Sequence, residues 1–91
     1  MLFPKTKRVK LSRAKYSLLC QYIAERDYVC RGCYKNLSVD VHHLVYRSQG
    51  GDDSPRNCVG LCRSCHDKAH RRELVLPDRT VRRLASEPDK I

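Results

Sequence analysis

Apolar residues in this chain of 91 residues recur first at helical spacing and then at strand spacing. The helical segment follows Ser12, whose hydroxyl can cap a helix. Its apolar positions fall on one side at helical spacing: Leu11, Leu18, Leu19, Tyr22 and Ile23. The pattern predicts a helix from Ser12 to about Arg26, with a basic opposite face.

A strict alternation of apolar and polar residues follows between Leu37 and His43. This period of two is typical of a half-buried strand, and it puts His42 on the polar side. Residues 47–55 are rich in glycine and aspartate and predict a loop. A second short strand is expected around Asn57 to Leu61, so the two strands would form a β-hairpin with a long connection.

Two further helices are predicted after the hairpin. The first begins at Arg63 or Ser64 and runs to about Glu73. The second is short, and Asp78 can cap it. With the first helix, these elements predict a small α+β fold.

The length bounds the organisation of the chain, because an apolar core of this size is marginal on its own. We predict a flexible basic arm over residues 1–10, a single domain over 11–86 with its motif core over 28–72, and a frayed tail over 87–91. The sequence opens without an apolar signal segment, and no run approaches the roughly 18 apolar residues of a membrane span. We therefore expect a cytoplasmic protein with reduced cysteines.

Four of the six cysteines form two CxxC pairs. Thiolates in this arrangement suit a closed, tetrahedral structural zinc site, and the predicted ligands are Cys30, Cys33, Cys62 and Cys65. Gly32 would permit the tight turn that lets one pair converge on one ion. A disulfide-linked structural protein is the alternative, and zinc is favoured because no signal segment is present.

The other two cysteines have no partner at ligand spacing. Cys58 could substitute as a zinc ligand, but its place in a predicted strand favours core packing. Cys20 lies in an apolar segment and is expected to act as a small buried hydrophobe.

The four histidines predict a second, reactive metal site. His66 and His70 are four residues apart, so they share one face of a helix and can bind one ion. His42 would be the third ligand, which leaves positions for phosphate oxygens and water. His43 could then accept a proton from the attacking water. Because strand alternation separates His42 from His43, both can serve one site only if the strand bends, bulges or ends there.

Asn57 offers a side-chain amide beside this site. Such a group can hydrogen-bond a backbone carbonyl and fix the loop or the base. The alternative is an ordinary turn residue before a strand.

The formal net charge of +9 favours a polyanionic partner. Six basic residues precede the first acidic residue, Glu25, and we predict that they bind DNA phosphates: Lys5, Lys7, Arg8, Lys10, Arg13 and Lys15. A solvated basic surface is the alternative for any one of them.

The residues from Tyr28 to Arg72 resemble the HNH endonuclease family. The resemblance is carried by Val41-His42-His43, Gly50-Gly51, Asn57, and the run from Leu61 through Cys62, Cys65 and His66 to His70. The chain looks most like the cysteine-bearing members, found in phage, restriction and mobile-element nucleases. The resemblance implies a ββα-metal, treble-clef-like core braced by a four-cysteine zinc site.

Carried over residue by residue, the resemblance makes His43 the general base and Asn57 the orienting residue. His42, His66 and His70 become ligands of one catalytic divalent ion, which in this family is Mg²⁺, Mn²⁺, Ni²⁺ or Zn²⁺. Many members carry Asp where this chain has His42, and Asp40 could orient or replace that ligand.

We therefore predict a metal-dependent endonuclease that hydrolyses DNA phosphodiester bonds. The alternative is a non-catalytic, zinc-stabilised module that binds nucleic acid. One site per chain cuts one strand at a time, so double-strand cleavage would require a dimer, a protein partner or repeated binding.

Overall fold

A computed structural model describes residues 10–88 of the chain. Helix α1 spans Arg13–Arg26, strand β1 Asp40–His43, strand β2 Cys58–Leu61, helix α2 Arg63–His70 and helix α3 Asp78–Ala85, with a short 3-10 turn at Arg47–Gln49 between the strands. The structure thus has the predicted small α+β composition. Residues 1–9, which include most of the predicted basic arm, and residues 89–91 lie outside the described part.

Helix α1 begins where the sequence predicts, because the Ser12 hydroxyl accepts a hydrogen bond from the Lys15 amide at 3.3 Å. Leu19 and Ile23 are fully buried. The predicted apolar side is wider than the observed one, since Leu18 is 57% exposed and Tyr22 is also exposed. These two residues, one turn apart, pack against Cys58 of β2.

Strands β1 and β2 pair antiparallel, with His42 opposite Val59 and His43 opposite Cys58. β1 is shorter than predicted, since Val39, which is 63% exposed, lies before its first residue. Both sides of the strand are covered: Val41, on the predicted apolar side, packs on the cluster of Leu19, Ile23 and Cys58. His42, on the predicted polar side, is the most buried residue of the strand. The polar side is buried because helix α2 packs against it and brings its own histidines to His42.

Strand β2 is buried along its whole length and separates two apolar clusters. On one side Cys58 packs with Leu19 and Ile23 of α1. On the other side Val59 and Leu61 join a cluster that also contains Cys30, Cys62, Cys65 and Leu84. The side chains of a strand alternate between its two faces, so β2 serves both clusters at once.

A buried carboxylate connects α1 to the sheet. Asp27 is only 1% exposed and accepts hydrogen bonds from Arg26, Arg31 and the Gly60 amide. Burial alone would raise the pKa of Asp27, but the hydrogen bonds from Arg26 and Gly60 outweigh it and the pKa lies below its usual value. The ionised Asp27 therefore ties the end of α1 to the middle of β2.

Helices α2 and α3 follow the sheet and complete the domain. α2 ends at His70, earlier than expected, and α3 contributes Leu84 to the core. Glu87, at the start of the predicted frayed tail, accepts a hydrogen bond from the Tyr22 hydroxyl and lies 3.7 Å from Arg26. Within residues 10–88 no helix has the length and apolar content needed to cross a bilayer.

We predict that Asp27→Ala lowers the free energy of unfolding by about 3 to 5 kcal/mol, because it leaves buried arginine charge and a backbone amide without their acceptor. Denaturant unfolding of the zinc-saturated protein measures this. Glu73→Ala is the control, since both side chains of the Arg71–Glu73 ion pair are exposed. This substitution should leave the denaturant midpoint unchanged. Equal effects of the two substitutions would contradict the role given to Asp27.

Candidate active site

The four paired cysteines come together beside strand β2. One sulfur from each of Cys30, Cys33, Cys62 and Cys65 lies within 4.8 Å of the others, and Cys33 Sγ is 3.9 Å from Cys62 Sγ. A tetrahedron of zinc–sulfur bonds of about 2.3 Å requires sulfurs about 3.8 Å apart. The four sulfurs therefore fit a single zinc ion.

Backbone amides point at these sulfurs, as they do in sites that hold thiolates. The amides of Gly32 and Cys33 donate to Cys30 Sγ at 3.3 and 3.5 Å, and the Lys35 amide donates to Cys33 Sγ at 3.4 Å. The bonds from the amides of Lys35 and Asn36 lower the pKa of Cys33 to about 6. Thiolate is the form that binds metal, so the local backbone favours the metal-binding state.

Gly32 is closely packed against the second cysteine pair, which the sequence did not predict. A Cβ atom there would lie 3.0 Å from Cys65 Sγ and 3.3 Å from the Leu74 side chain. The left-handed conformation of this turn falls instead on Tyr34, with a φ of 57°. Gly32 thus makes room for the second cysteine pair, and Tyr34 makes the turn.

Cys58 and Cys20 lie apart from the four-sulfur cluster. Cys58 belongs to the apolar cluster on the α1 side of β2, and burial raises its pKa to about 12. Cys20 is half-buried on α1. The structure therefore places Cys58 in core packing, with its thiol protonated.

Three histidines form a second cluster between β1 and α2. The Nε2 atoms of His66 and His70 are 3.1 Å apart. The centroid of the His42 ring lies 5.3 Å from the centroid of the His66 ring and 5.5 Å from that of the His70 ring. One nitrogen from each ring lies within 4.8 Å of the others. Two imidazole donors on a common ion approach one another to about 3 Å, so these rings fit one divalent ion.

The environment of His42 keeps its ring neutral. Burial, followed by the neighbouring rings of His66 and His70, lowers the pKa of His42 to about 4. A neutral imidazole is the form that binds a metal. Near neutral pH, His42 therefore offers a free lone pair to an ion.

Asp40 orients one of these rings. Its carboxylate lies 3.1 Å from His66 Nδ1 and 3.6 Å from the exposed Arg63 guanidinium. A carboxylate on one nitrogen of a histidine directs the other nitrogen toward a metal. The two alternatives raised for Asp40 concerned His42, but the contact is with His66, so it matches orientation of a different histidine.

His43 occupies the other face of the same strand. Its Nε2 lies 3.0 Å from Asp53 Oδ1, and its ring stacks on Tyr16 of α1 with centroids 6.1 Å apart. Asp53 is fully buried and also accepts from Arg47 and from the Leu11 amide. Sequence reasoning did not single out Asp53, because an acidic residue in a glycine-rich loop resembles a solvated one.

Both members of the histidine doublet nevertheless border one cavity. Strand β1 ends at His43, which is one of the conditions under which alternation allows both side chains to reach one site. The cavity has a volume of about 330 Å³ and is lined by Val41, His42, His43, Tyr46, Arg47, Ser48, His66 and His70. An open space thus adjoins the three-histidine cluster and His43 together.

Asn57 holds the loop between the strands. Its side chain accepts from the Val45 amide at 2.9 Å and donates to the carbonyls of Val45 and Asp52. A Cβ on Gly51 would lie 1.7 Å from the Val45 carbonyl oxygen, so the loop closes tightly here. Of the two tasks considered for Asn57, these contacts correspond to fixing the loop. The same loop contains Asp53, which contacts His43.

The predicted DNA-binding residues are only partly within the described chain. Lys10, Arg13 and Lys15 are exposed at the start of α1, whereas Lys5, Lys7 and Arg8 lie outside residues 10–88. Leu11, which lies between Lys10 and Arg13, donates a hydrogen bond from its backbone amide to the Asp53 carboxylate. The beginning of α1 is thereby attached to the loop that contacts His43.

We predict that Cys33→Ser lowers the zinc content of the purified protein and that a chelator unfolds the wild-type domain, because zinc in such a site supplies roughly 10 to 16 kcal/mol. Atomic absorption and circular dichroism measure these effects. Cys20→Ser, which changes a cysteine of similar burial outside the cluster, should retain the wild-type zinc content. A zinc content unchanged by Cys33→Ser would contradict the assignment.

We also predict that Asp40→Asn weakens binding of a divalent ion at the three histidines by about 10- to 100-fold, because the orienting carboxylate is lost. Titration of the zinc-loaded protein with Ni²⁺ measures the affinity. Asp67→Asn is the control, since Asp67 is exposed on α2, the helix that carries His66 and His70. Equal Ni²⁺ affinities for the Asp40 and Asp67 variants would rule out the orienting role.

Comparison with known proteins places this site in a family. The family model for HNH endonucleases matches residues 30–72, which contain the four-cysteine cluster, the three-histidine cluster, His43 and Asp53. A type IV methyl-directed restriction enzyme of Escherichia coli is 37% identical over 51 residues, a match that covers 46% of this chain and 18% of the enzyme. Anaredoxin of Nostoc sp. is 42% identical over 51 residues, covering 55% of this chain and 67% of that protein.

The chain therefore spans less than a fifth of the restriction enzyme and two thirds of anaredoxin. The profile match alone takes in the paired cysteines, the histidine doublet and the histidines of α2. Together with the profile match, these relatives show that the chain belongs to the HNH endonuclease family.

Proposed function

We propose that this protein is a metal-dependent endonuclease that hydrolyses DNA phosphodiester bonds. The observation that carries the proposal is that one cavity is bordered both by a convergent set of three histidines and by His43, which lies outside that set. Membership of the HNH endonuclease family supports the same reaction class. In this proposal β1, β2 and α2 form a ββα-metal core, and zinc on the four cysteines braces it.

His42, His66 and His70 would hold the catalytic divalent ion. When bound, the ion would polarise a phosphate oxygen and stabilise the negative charge that develops on the leaving oxygen. Three imidazole donors favour a transition metal over Mg²⁺. Within this family Mn²⁺, Ni²⁺ and Zn²⁺ thus suit these ligands better than Mg²⁺ does.

His43 would act as the general base. A water molecule attacks the phosphorus while its proton passes to His43, the bond from phosphorus to the leaving oxygen breaks, and that oxygen takes a proton from solvent. The base must lie beside the ion but outside its ligand set. His43 meets this requirement because it borders the same cavity as His42, His66 and His70 and is not a member of that set.

DNA is the proposed partner, and the start of α1 is the proposed phosphate contact. Lys10, Arg13 and Lys15 are exposed there, and the hydrogen bond from the Leu11 amide to Asp53 connects this segment to the loop at His43. Phosphate contacts position a protein on DNA without reading its sequence. Lys5, Lys7 and Arg8 are proposed as further phosphate contacts on charge alone. A cytoplasmic location remains a prediction.

The second candidate is a zinc-stabilised module that binds nucleic acid without cutting it. The zinc cluster and the net charge of +9 support it equally well. The two candidates differ only in the histidine site, which such a module would not need.

We predict that the wild-type protein converts supercoiled plasmid to nicked or linear forms with Mn²⁺ or Ni²⁺, and that His43→Ala lowers the rate on the order of 10²- to 10⁴-fold, because the general base is lost. Agarose gels quantify the forms over time. DNA affinity, measured by gel shift in the absence of the divalent ion, should be unchanged.

Asp67→Asn is the matched control, because it changes an exposed residue of α2 and should cut at the wild-type rate. Cleavage by His43→Ala at the wild-type rate would refute the assignment of the base. DNA binding by the wild-type protein without cleavage under any of the divalent ions would favour the non-catalytic module.

A further inference from the structure

We propose that Asp53 is a positioning residue that fixes the tautomer of His43, so that Nδ1 is the atom that takes the proton from the attacking water. The inference rests on the proposed function and extends it to the loop between the strands. Its basis is the contact between His43 Nε2 and the buried carboxylate of Asp53.

The carboxylate of Asp53 is held by donors on both oxygens. Oδ1 accepts from His43 Nε2 at 3.0 Å and from Arg47 Nε at 3.1 Å. Oδ2 accepts from the Leu11 amide at 3.0 Å and from Arg47 Nη2 at 3.1 Å. Because these donors come from three separate places in the chain, the carboxylate has little freedom to rotate.

Asp53 remains ionised despite its burial. Desolvation would raise its pKa, but the hydrogen bonds from Arg47, Leu11 and His43 outweigh this and the pKa lies below its usual value. An ionised carboxylate only accepts hydrogen bonds. The nitrogen of His43 that faces it must therefore carry the proton, and in the neutral ring the lone pair is then on Nδ1.

A second contact fixes the plane of the same ring. His43 and Tyr16 stack with an interplanar angle of 14°, and the Arg47 guanidinium lies 4.7 Å from the centre of the Tyr16 ring. Arg47 thus touches both groups that hold His43. The orientation of the ring and the position of its proton are set by one connected group of side chains.

The metal site uses the same arrangement on the opposite nitrogen. Asp40 contacts His66 at Nδ1, which leaves Nε2 toward His70. Asp53 contacts His43 at Nε2, which leaves Nδ1. One carboxylate thus directs a ligand and the other directs a base, and the two imidazoles expose different nitrogens.

Asp53→Asn is the informative substitution. Each carboxylate oxygen has two donors, but the Leu11 amide and Arg47 Nη2 at Oδ2 cannot become acceptors, whereas His43 at Oδ1 can by changing tautomer. The amide oxygen is therefore favoured at the Oδ2 position and the amide nitrogen at the Oδ1 position. There it would donate to His43 Nε2 and move the ring proton to Nδ1. The lone pair would then face the introduced amide group and no longer be available to water.

The tautomer can be read directly by long-range ¹H–¹⁵N correlation spectra of the zinc-loaded protein, recorded under conditions in which the spectra themselves show a neutral His43 ring. The His43 signals are those that disappear in His43→Ala. We expect the Nε2–H tautomer in the wild-type protein and a shift toward Nδ1–H in Asp53→Asn. A neutral wild-type His43 found in the Nδ1–H tautomer would overturn the proposal.

Kinetics of plasmid cleavage provide the second measurement. Asp53→Asn should lower kcat on the order of 10²-fold, within the contribution of a general base, and leave KM for DNA unchanged. Asp27→Asn is the matched control, because it alters another buried, arginine-bound carboxylate whose hydrogen bonds go to Arg26, Arg31 and Gly60. It should keep the wild-type tautomer and, at equal folded fraction, the wild-type kcat.

Wild-type kcat in Asp53→Asn would overturn the positioning role. The tautomer is observed without DNA, so its outcome does not depend on cleavage. A wild-type protein that cuts no plasmid would refute the proposed function, while the spectrum would still decide the assignment of Asp53.

Discussion

The register of the β1–β2 ladder is the constraint on which the rest of the site depends. The ladder is only four residues long, and it sends His42 toward α2 and His43 toward α1. A slip by one residue would exchange these faces and separate each histidine from its partners. The register is supported from outside the ladder by the Asn57 side chain, which closes the loop between the strands.

Local signals in the sequence predicted the elements whose causes are local. The capping residue Ser12 fixed the start of α1, the CxxC pairs indicated a cysteine cluster, and the spacing of His66 and His70 put two imidazoles on one helical face. For β1, alternation predicted that the side of Val41 is buried, and Val41 does pack on the α1 cluster. The burial of His42 on the polar side was not predicted, because it depends on where α2 packs.

Asp27 and Asp53 show why the supporting carboxylates could not be predicted. Each accepts hydrogen bonds from side chains that are near in sequence, and each also accepts one from a backbone amide far along the chain. Asp53 meets the Leu11 amide across 42 residues, and Asp27 meets the Gly60 amide across 33. A pattern confined to a short window contains neither partner, so both residues resemble solvated loop or helix-end aspartates.

The hydrogen bond from Leu11 to Asp53 also bears on how this domain could be transplanted. The segment shared with the family begins at residue 30, yet one of the two apolar clusters is built from Leu19 and Ile23 together with Cys58. A graft of residues 30–72 into another host would expose Cys58 and deprive Asp53 of a backbone donor. The portable unit is therefore larger than the recognisable motif, and a fusion that preserves its geometry should begin no later than Leu11.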